Sequence, residues 1–265
     1  MGRNRCKDSE SISSGCHALT TGWKQAGMLI SKFKYRIRQC LRYLDNALGF
    51  RAWLRADGSQ ERQPGAFLDG DRTIENGWVI SHLPSSPVDV LDVGAAGSCL
   101  SDTAAGLGHR VTAVDMNPLV PLLQGVVFRQ GDFLEVDLDG AKFDCVIACS
   151  SLEHFGLAGR YDSKEDSEGD LKGMARICAF LKPHGRVLLT IPVGRDLICR
   201  PWHRIYGETR LPRLLDGYRI ICDQYWAKTP EGKWKQCDRQ HALRVQGSDR
   251  FYALGLFVLT KNTSF

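Results

Sequence analysis

No stretch of the chain approaches ~18 consecutive apolar residues, so no membrane-spanning helix is expected. The opening residues, MGRNRCKDSESISSG, carry basic side chains with no apolar run behind them and do not read as a signal peptide. Cys6 stands where a myristoylation signal wants Ser or Thr, which argues against lipidation there. The ten cysteines include no CxxC pair. Cys145 and Cys149 share one face of an expected strand but lie about 13 Å apart, too far for a disulfide or a shared metal. Buried thiols in a reducing cytoplasm are the expectation. No GKS/T follows the glycine-rich turn at 94–98, which excludes a phosphate-binding P-loop. Seven scattered histidines supply no HExxH-like spacing, and no metal is expected.

What is present is an ordinary globular balance, 43% hydrophobic and 25% charged, over 265 residues. That length suits one large domain with a smaller attachment. The net charge of +5 is unevenly placed. Residues 1–56 hold eleven Lys and Arg against three acids, and the remainder holds 24 against 27. Residues 1–20 are polar and Ser-rich and read as a flexible tail. Residues 21–70 read as a basic amphipathic helix followed by a turn-rich linker. Ile30, Phe33, Ile37, Leu41, Leu44 and Leu48 form its apolar stripe. Packing on the main domain, peripheral membrane contact through residues 24–50, and capture of an anionic substrate or nucleic acid stay open for that helix.

From residue 71 to 265 the pattern is α/β. Short apolar strands are expected at 88–93, 109–115, 126–130, 143–150 and 186–193, with helices between them. Strand-like 218–226 and a final strand at 251–261 follow. Such alternation predicts a mostly parallel sheet covered on both faces. The first strand ends at Asp92 and runs into Gly94-Ala95-Ala96-Gly97-Ser98, where the two glycines let backbone and ligand approach closely. Asp115 closes the second strand 23 residues after Asp92, placed to accept from both hydroxyls of a ribose. The second and third glycines of a GxGxxG pattern are replaced by Ala96 and Cys99, which weakens a dinucleotide reading without removing it.

VLDVGAAGS (90–98), VTAVDMNP (111–118), QGDFLEVDL (130–138), FDCVIACSSLEHFGL (143–157) and RICAFLKPHGRVLLTIPVG (176–194) stand in this order. In that order they resemble the class I S-adenosylmethionine-dependent methyltransferases. The segment 150–177 is similar to an uncharacterised bacterial subgroup associated with glycan or specialised-metabolite biosynthesis. The resemblance implies a Rossmann-like sheet with an antiparallel last strand and an N-terminal helical cap. It also implies S-adenosyl-L-methionine as cofactor, with S-adenosyl-L-homocysteine as product. Gly94, Ala95 and Gly97 would shape the cofactor bed, and Asp92 would order the loop or meet the amino group. Asp115 would hold the ribose and Met116 one adenine face, while Asp132 and Phe133 would meet the adenine. Ser150 would lie near the methionyl end. Glu75, in GDRTIENGW, would approach the cofactor's amino-acid end or else be a solvated acid at a helix start.

A sulfonium-bound methyl is already activated, so alignment is the protein's main task, and a hydroxyl acceptor gains from a base. His154 and Glu153, following the fourth strand, and His203, following the fifth, are the candidate catalytic groups. Arg160, Tyr161, Arg204 and Tyr206 are candidate acceptor contacts. Loops 150–170, 194–210 and 227–250 are expected on the acceptor side. The expected activity is O-methylation of a hydroxylated small molecule or sugar, including anionic ones, in the cytoplasm or at a membrane periphery. An N-methyltransferase of a small amine, an RNA methyltransferase, an NAD(P)-dependent oxidoreductase and a non-catalytic cofactor-binding subunit are the alternatives. The fourth strand ends ACSS rather than in the Asn/Asp-Pro-Pro-Tyr of many amino-directed DNA enzymes, which favours a small acceptor over nucleic acid.

Overall fold

Short β-branched runs bounded by glycine or polar turns become strands because both of their faces can be buried between helices. The computed structural model describes residues 70–119, 125–159 and 164–262, which belong to one compact unit, Arg62–Phe265. The expected N-terminal tail and basic helix lie outside the described residues, as does most of the linker. Helix α1 (Asp71–His82) precedes β1 (Asp89–Val93), α2 (Leu100–Gly106), β2 (Arg110–Asp115), β3 (Val126–Gln130) and β4 (Phe143–Cys149). A 3-10 turn (Leu152–His154), α3 (Gly169–Phe180) and β5 (Leu181–Val193) follow, then the hairpin β6 (Leu197–Cys199) and β7 (His203–Ile205). The chain closes with α4 (Arg210–Leu214), β8 (Tyr218–Lys228), β9 (Trp234–Cys237), α5 (Arg239–Arg244) and β10 (Ala253–Lys261).

Eight strands form one sheet in the order β3-β2-β1-β4-β5-β10-β8-β9. The first five are parallel, and β10 runs antiparallel between β5 and β8. The last strand is therefore antiparallel, as expected. Alternate residues of the central strands feed different cores. On β4, Val146 and Ala148 join a cluster with Ile177, Leu189 and Phe257, whereas Cys145 and Ile147 join one with Trp78, Leu100 and Leu256. Burying both faces is what makes these strands nearly continuous apolar runs. All seven described cysteines are free thiols, and Cys145 and Cys149 are buried. Among the described residues, no helix is long and apolar enough to cross a membrane.

Two segments fold differently from the sequence expectation. The fifth strand starts at Leu181, not after the Pro-His-Gly turn. Leu181 pairs with Phe143, and Arg186 with Cys145, so Lys182–Gly185 loop out as a register irregularity with His184 at φ 65°. The polar stretch 227–250 also contains β9, which pairs with the end of β8, and α5, capped by the Asp238 carboxylate on the His241 amide at 2.7 Å.

The loops at the carboxyl ends of β4 and β5 are fastened by buried charge. Asp170, fully buried at the start of α3, accepts from Arg210 Nε at 2.9 Å and from Arg210 Nη2. It also faces Arg204 Nε at 3.8 Å, and Arg204 donates to the carbonyls of Phe155 and Asp166. Removing one member of such a buried group strands the others without counter-charge. Asp170→Ala is expected to lower unfolding free energy by about 3–5 kcal/mol. Urea denaturation checks this, and a loss under about 1 kcal/mol would show that Arg204 is held by carbonyls alone.

Candidate active site

Strand order reverses between β1 and β4, since the chain leaves β1 toward β2 on one side while β4 lies on the other. Crevices form at such points beyond the carboxyl ends of the strands. The glycine turn sits there. Gly94 has φ 79°, and a Cβ built on it would lie 2.4 Å from Ser151 Cβ, so the ends of β1 and β4 approach too closely for any side chain. The amides of Gly94 and Ala95 both donate to the Val114 carbonyl, which folds the turn over the end of β2.

Asp115 completes this corner. Ala96 N donates to one carboxylate oxygen at 2.9 Å and Asn117 N to the other at 2.7 Å. Asn117 Nδ2 also donates to the oxygen that takes its own amide, at 3.3 Å, so the oxygen facing Ala96 keeps the readier acceptor capacity for a ligand hydroxyl. Burial pushes the Asp115 carboxyl up, and the two amides oppose that shift. Asp92 is bound within the corner itself. It is fully buried and accepts from Ser101 Oγ at 2.6 Å, tying the turn to the start of α2. Burial, with the hydroxyl working against it and Asp115 nearby adding to it, raises this carboxyl to about 6.

Two of the expected cofactor residues bury their side chains. The Ala95 side chain is buried with Ala113 and Leu119, leaving only its backbone at the turn. Phe133 is 3% exposed and packs beside Phe155 and Phe180, so its ring belongs to the core and not beside a nucleobase. Asp132, half-buried, caps its own turn by accepting from Leu134 N at 2.9 Å. Met116 is half-buried at the end of β2.

Glu75 is not solvated. It is completely buried in α1 and accepts from Ser150 Oγ at 2.6 Å and Thr190 Oγ1 at 2.8 Å, with Arg72 Nη1 at 3.6 Å from its other oxygen. Burial raises its carboxyl, and Arg72 and the two hydroxyls pull it back. Ser150 itself takes φ 46°, a left-handed conformation rare for a non-glycine residue and held here by three partners. These are Glu75, the Thr190 carbonyl and the Thr190 hydroxyl.

Ser150 also lines a cavity of about 340 Å³ with Glu153, His154, Trp202, His203, Arg250 and Tyr252 among its walls. The three loops expected on the acceptor side each contribute to it. His154 Nδ1 lies 2.6 Å from the Trp202 carbonyl. A carbonyl only accepts, so Nδ1 carries the hydrogen and the lone pair of the neutral ring is on Nε2. Nε2 is 3.7 Å from Glu153 Oε1, an imidazole–carboxylate pair. His203 meets the Tyr252 ring edge-on at 5.2 Å, and Tyr252 donates to Asp71 at 2.6 Å.

Arg204 and Tyr206, expected to contact an acceptor, do not line the cavity. Both are sealed in the interior, Arg204 as part of the Asp170 fastening and Tyr206 in the core on the α3 face of the sheet. Arg160 and Tyr161 lie outside the described residues. The cavity walls missed from the sequence are Asp71, Arg72, Pro192, Trp202, Asp249, Arg250 and Tyr252. Trp202 sits beside His203 in RPWHR and was findable there, whereas Asp71 meets Tyr252 across 181 residues.

The sheet order, the glycine turn at the switch point and the inserted antiparallel strand define the class I methyltransferase fold. A family described as "Caenorhabditis protein of unknown function, DUF268" matches residues 135–247. The ubiquinone biosynthesis O-methyltransferases of Xanthomonas axonopodis pv. citri (strain 306) and Xanthomonas oryzae pv. oryzae (strain PXO99A) are each 30% identical over 149 residues, covering 52% of this chain and 55% of theirs. The chain thus spans about half the length of the curated relatives it matches. The Burkholderia thailandensis 1,6-didemethyltoxoflavin-N1-methyltransferase was crystallised with 1,6-didemethyltoxoflavin and S-adenosylhomocysteine. It is 20% identical with a TM-score of 0.51, over 86% of this chain and 88% of that one, a likeness of fold.

Asp92 gives this corner a pH signature. Its folded-state carboxyl lies above the ordinary value of 3.8, so the folded form holds a proton that the unfolded form has released. Stability from this group therefore falls as pH rises from about 4 to about 6. Asp92→Asn keeps an acceptor for Ser101 and should flatten that part of the pH–stability curve. An unchanged slope in the variant would show that another group causes it.

Proposed function

We propose that this chain is an S-adenosylmethionine-dependent methyltransferase that methylates a hydroxyl of a small molecule or sugar. The observation that carries the reading is that two half-sites adjoin at consecutive residues, Ser151 packed on the glycine turn and Ser150 lining the cavity. On one side stand the glycine turn and the oriented Asp115. On the other stands a cavity holding an imidazole whose tautomer is fixed by the Trp202 carbonyl. The ubiquinone O-methyltransferase relatives, though matched over only part of their length, support hydroxyl as the acceptor group.

The residues fit the cofactor at the turn. Asp115 would take the ribose hydroxyls with its remaining lone pairs, and Gly94 and Gly97, both at positive φ, would let the amino-acid part pass close to backbone. Ser150 would border its methionyl end, with Glu75 behind it. When bound, this group supplies an electrophilic methyl on a sulfonium and leaves as the neutral thioether. The chain's own part is alignment and proton removal. An acceptor hydroxyl in the cavity gives its proton to His154 Nε2, and the oxygen takes the methyl. The imidazolium so formed is stabilised by Glu153 and by the Nδ1–H bond to Trp202. His203 and Tyr252 shape the wall against which the acceptor rests.

Calorimetry with S-adenosylhomocysteine is the test of the cofactor half. Micromolar binding is expected, and Asp115→Ala should weaken it by about 2–4 kcal/mol, roughly 30- to 1000-fold. Binding of NADH in place of S-adenosylhomocysteine would overturn the reading in favour of an oxidoreductase. For the chemical half, His154→Ala should keep S-adenosylhomocysteine affinity while lowering methyl transfer to hydroxylated aromatics or sugars by about 10²–10⁴-fold. Locating the new methyl on nitrogen in the product would replace the hydroxyl acceptor with an amine.

A further inference from the structure

The cavity walls include a second polar pair that has no part in the proton transfer, Asp71 with Tyr252. Asp71 opens α1 and Tyr252 immediately precedes β10, so residues 181 apart in the chain meet at this cavity. The phenol ring is fixed from several sides. His203 meets it edge-on with centroids 5.2 Å apart, Trp234 packs at 6.2 Å, and Lys228 Nζ lies 5.3 Å from its centre. Lys228 is itself anchored, donating to the Arg250 carbonyl at 2.9 Å. The hydroxyl therefore has little freedom, and it donates to Asp71 Oδ2 at 2.6 Å. Burial and the carboxylates of Asp71, Glu75 and Glu153 push the phenol well above its ordinary range, so its proton stays in place.

With that proton committed, the pair offers a ligand only acceptors. Asp71 Oδ1 takes the Arg72 amide at 2.9 Å and Oδ2 takes the phenol, so each oxygen retains an acceptor position. The phenol oxygen retains its own lone pairs. A ligand group that meets Asp71 and Tyr252 therefore has to donate. His154 Nε2 likewise presents a lone pair, beside the Glu153 carboxylate. Both pairs thus call for donors from one molecule, in a cavity whose 340 Å³ is at the small end for a ligand site. Arg72 and Arg250 already place two cations in the walls, which favours a neutral hydroxyl over an ammonium as the second donor. We infer that the acceptor carries a second hydroxyl, bound by Asp71 and Tyr252 while the first gives its proton to His154. The two residues then select diols over single alcohols. This rests on the proposed methyltransferase reading and adds the acceptor's second anchor to it. Hydrogen bonds to a carboxylate are stronger than neutral ones, and an acceptor without the second hydroxyl leaves that position unpaired.

Two probe sets test it by calorimetry with S-adenosylhomocysteine present. One compares phenol with catechol, resorcinol and hydroquinone, and the other compares cyclohexanol with the positional cyclohexanediols. At least one diol should bind about 10- to 100-fold tighter than its parent alcohol. Tyr252→Phe and Asp71→Ala should each cut that ratio to about threefold or less. Damage to the fold alone lowers both affinities and keeps the ratio, so the ratio separates recognition from support. A ratio near one throughout in wild type, a ratio that either variant leaves unchanged, or no binding of any diol overturns the inference. Loss of S-adenosylhomocysteine binding in both variants also overturns it, since the pair would then be structural. So does an aminocyclohexanol that binds tighter than every diol and loses that preference in Asp71→Ala, which would assign the pair to an ammonium. S-adenosylhomocysteine binding with a ratio near one removes the second anchor alone, whereas a wild type that binds no S-adenosylhomocysteine removes the methyltransferase reading with it.

Discussion

A carboxylate with no exposure to water has to be bound from several sides, and Glu75 is bound by three elements at once. From α1 it reaches the hydroxyl of Ser150 beyond β4 and that of Thr190 in β5, and Arg72 supplies its counter-charge. Leaving such a group without its partners inside a protein is costly. The bonds therefore fix where α1 crosses the sheet and hold Ser150 in a left-handed conformation it would not otherwise adopt. Ser150 lines the cavity, and the next residue, Ser151, packs against the glycine turn at Gly94. The spacing between the two halves of the site thus depends on one buried charge.

Around that fixed point the fold divides the work. The parallel strands and the turn over β2 are closely packed, with Asp92 and Glu75 as buried carboxyls among their apolar side chains. The loops beyond β4 and β5 are held by Asp170 with Arg204 and Arg210, a group whose members gain only when all are present. Trp202 links the two arrangements. Its carbonyl sets the tautomer of His154, and the residue lines the cavity, so a change in the β6–β7 hairpin is felt at the imidazole.

The sequence makes the sheet legible because period and composition report burial directly. β1 to β4 and β10 fall within one or two residues of their expected spans. The glycine turn and Asp115 were legible for a related reason, since a turn after a strand and an acid closing the next strand need no tertiary knowledge to be placed together. Arg204 and Tyr206 were not. A polar residue in a loop-like stretch reads as solvent-facing, and only the fold shows that Arg204 finds carbonyls from Phe155 and Asp166 to satisfy it. Phe133 failed as a cofactor contact for the opposite reason: an aromatic ring fits a nucleobase or a core equally well, and here the core takes it. The three-residue strands β6 and β7 were too short to show any period, and β9 was short and polar as well.

Amide hydrogen exchange followed by mass spectrometry tests the central claim, that the switch point between β1 and β4 holds the cofactor beside the acceptor cavity. On addition of S-adenosylhomocysteine, protection should appear in peptides covering residues 93–98 and 115–117 and at Ser150, and NADH should produce none of it. Protection confined to other strands, or identical protection by both compounds, would contradict the account.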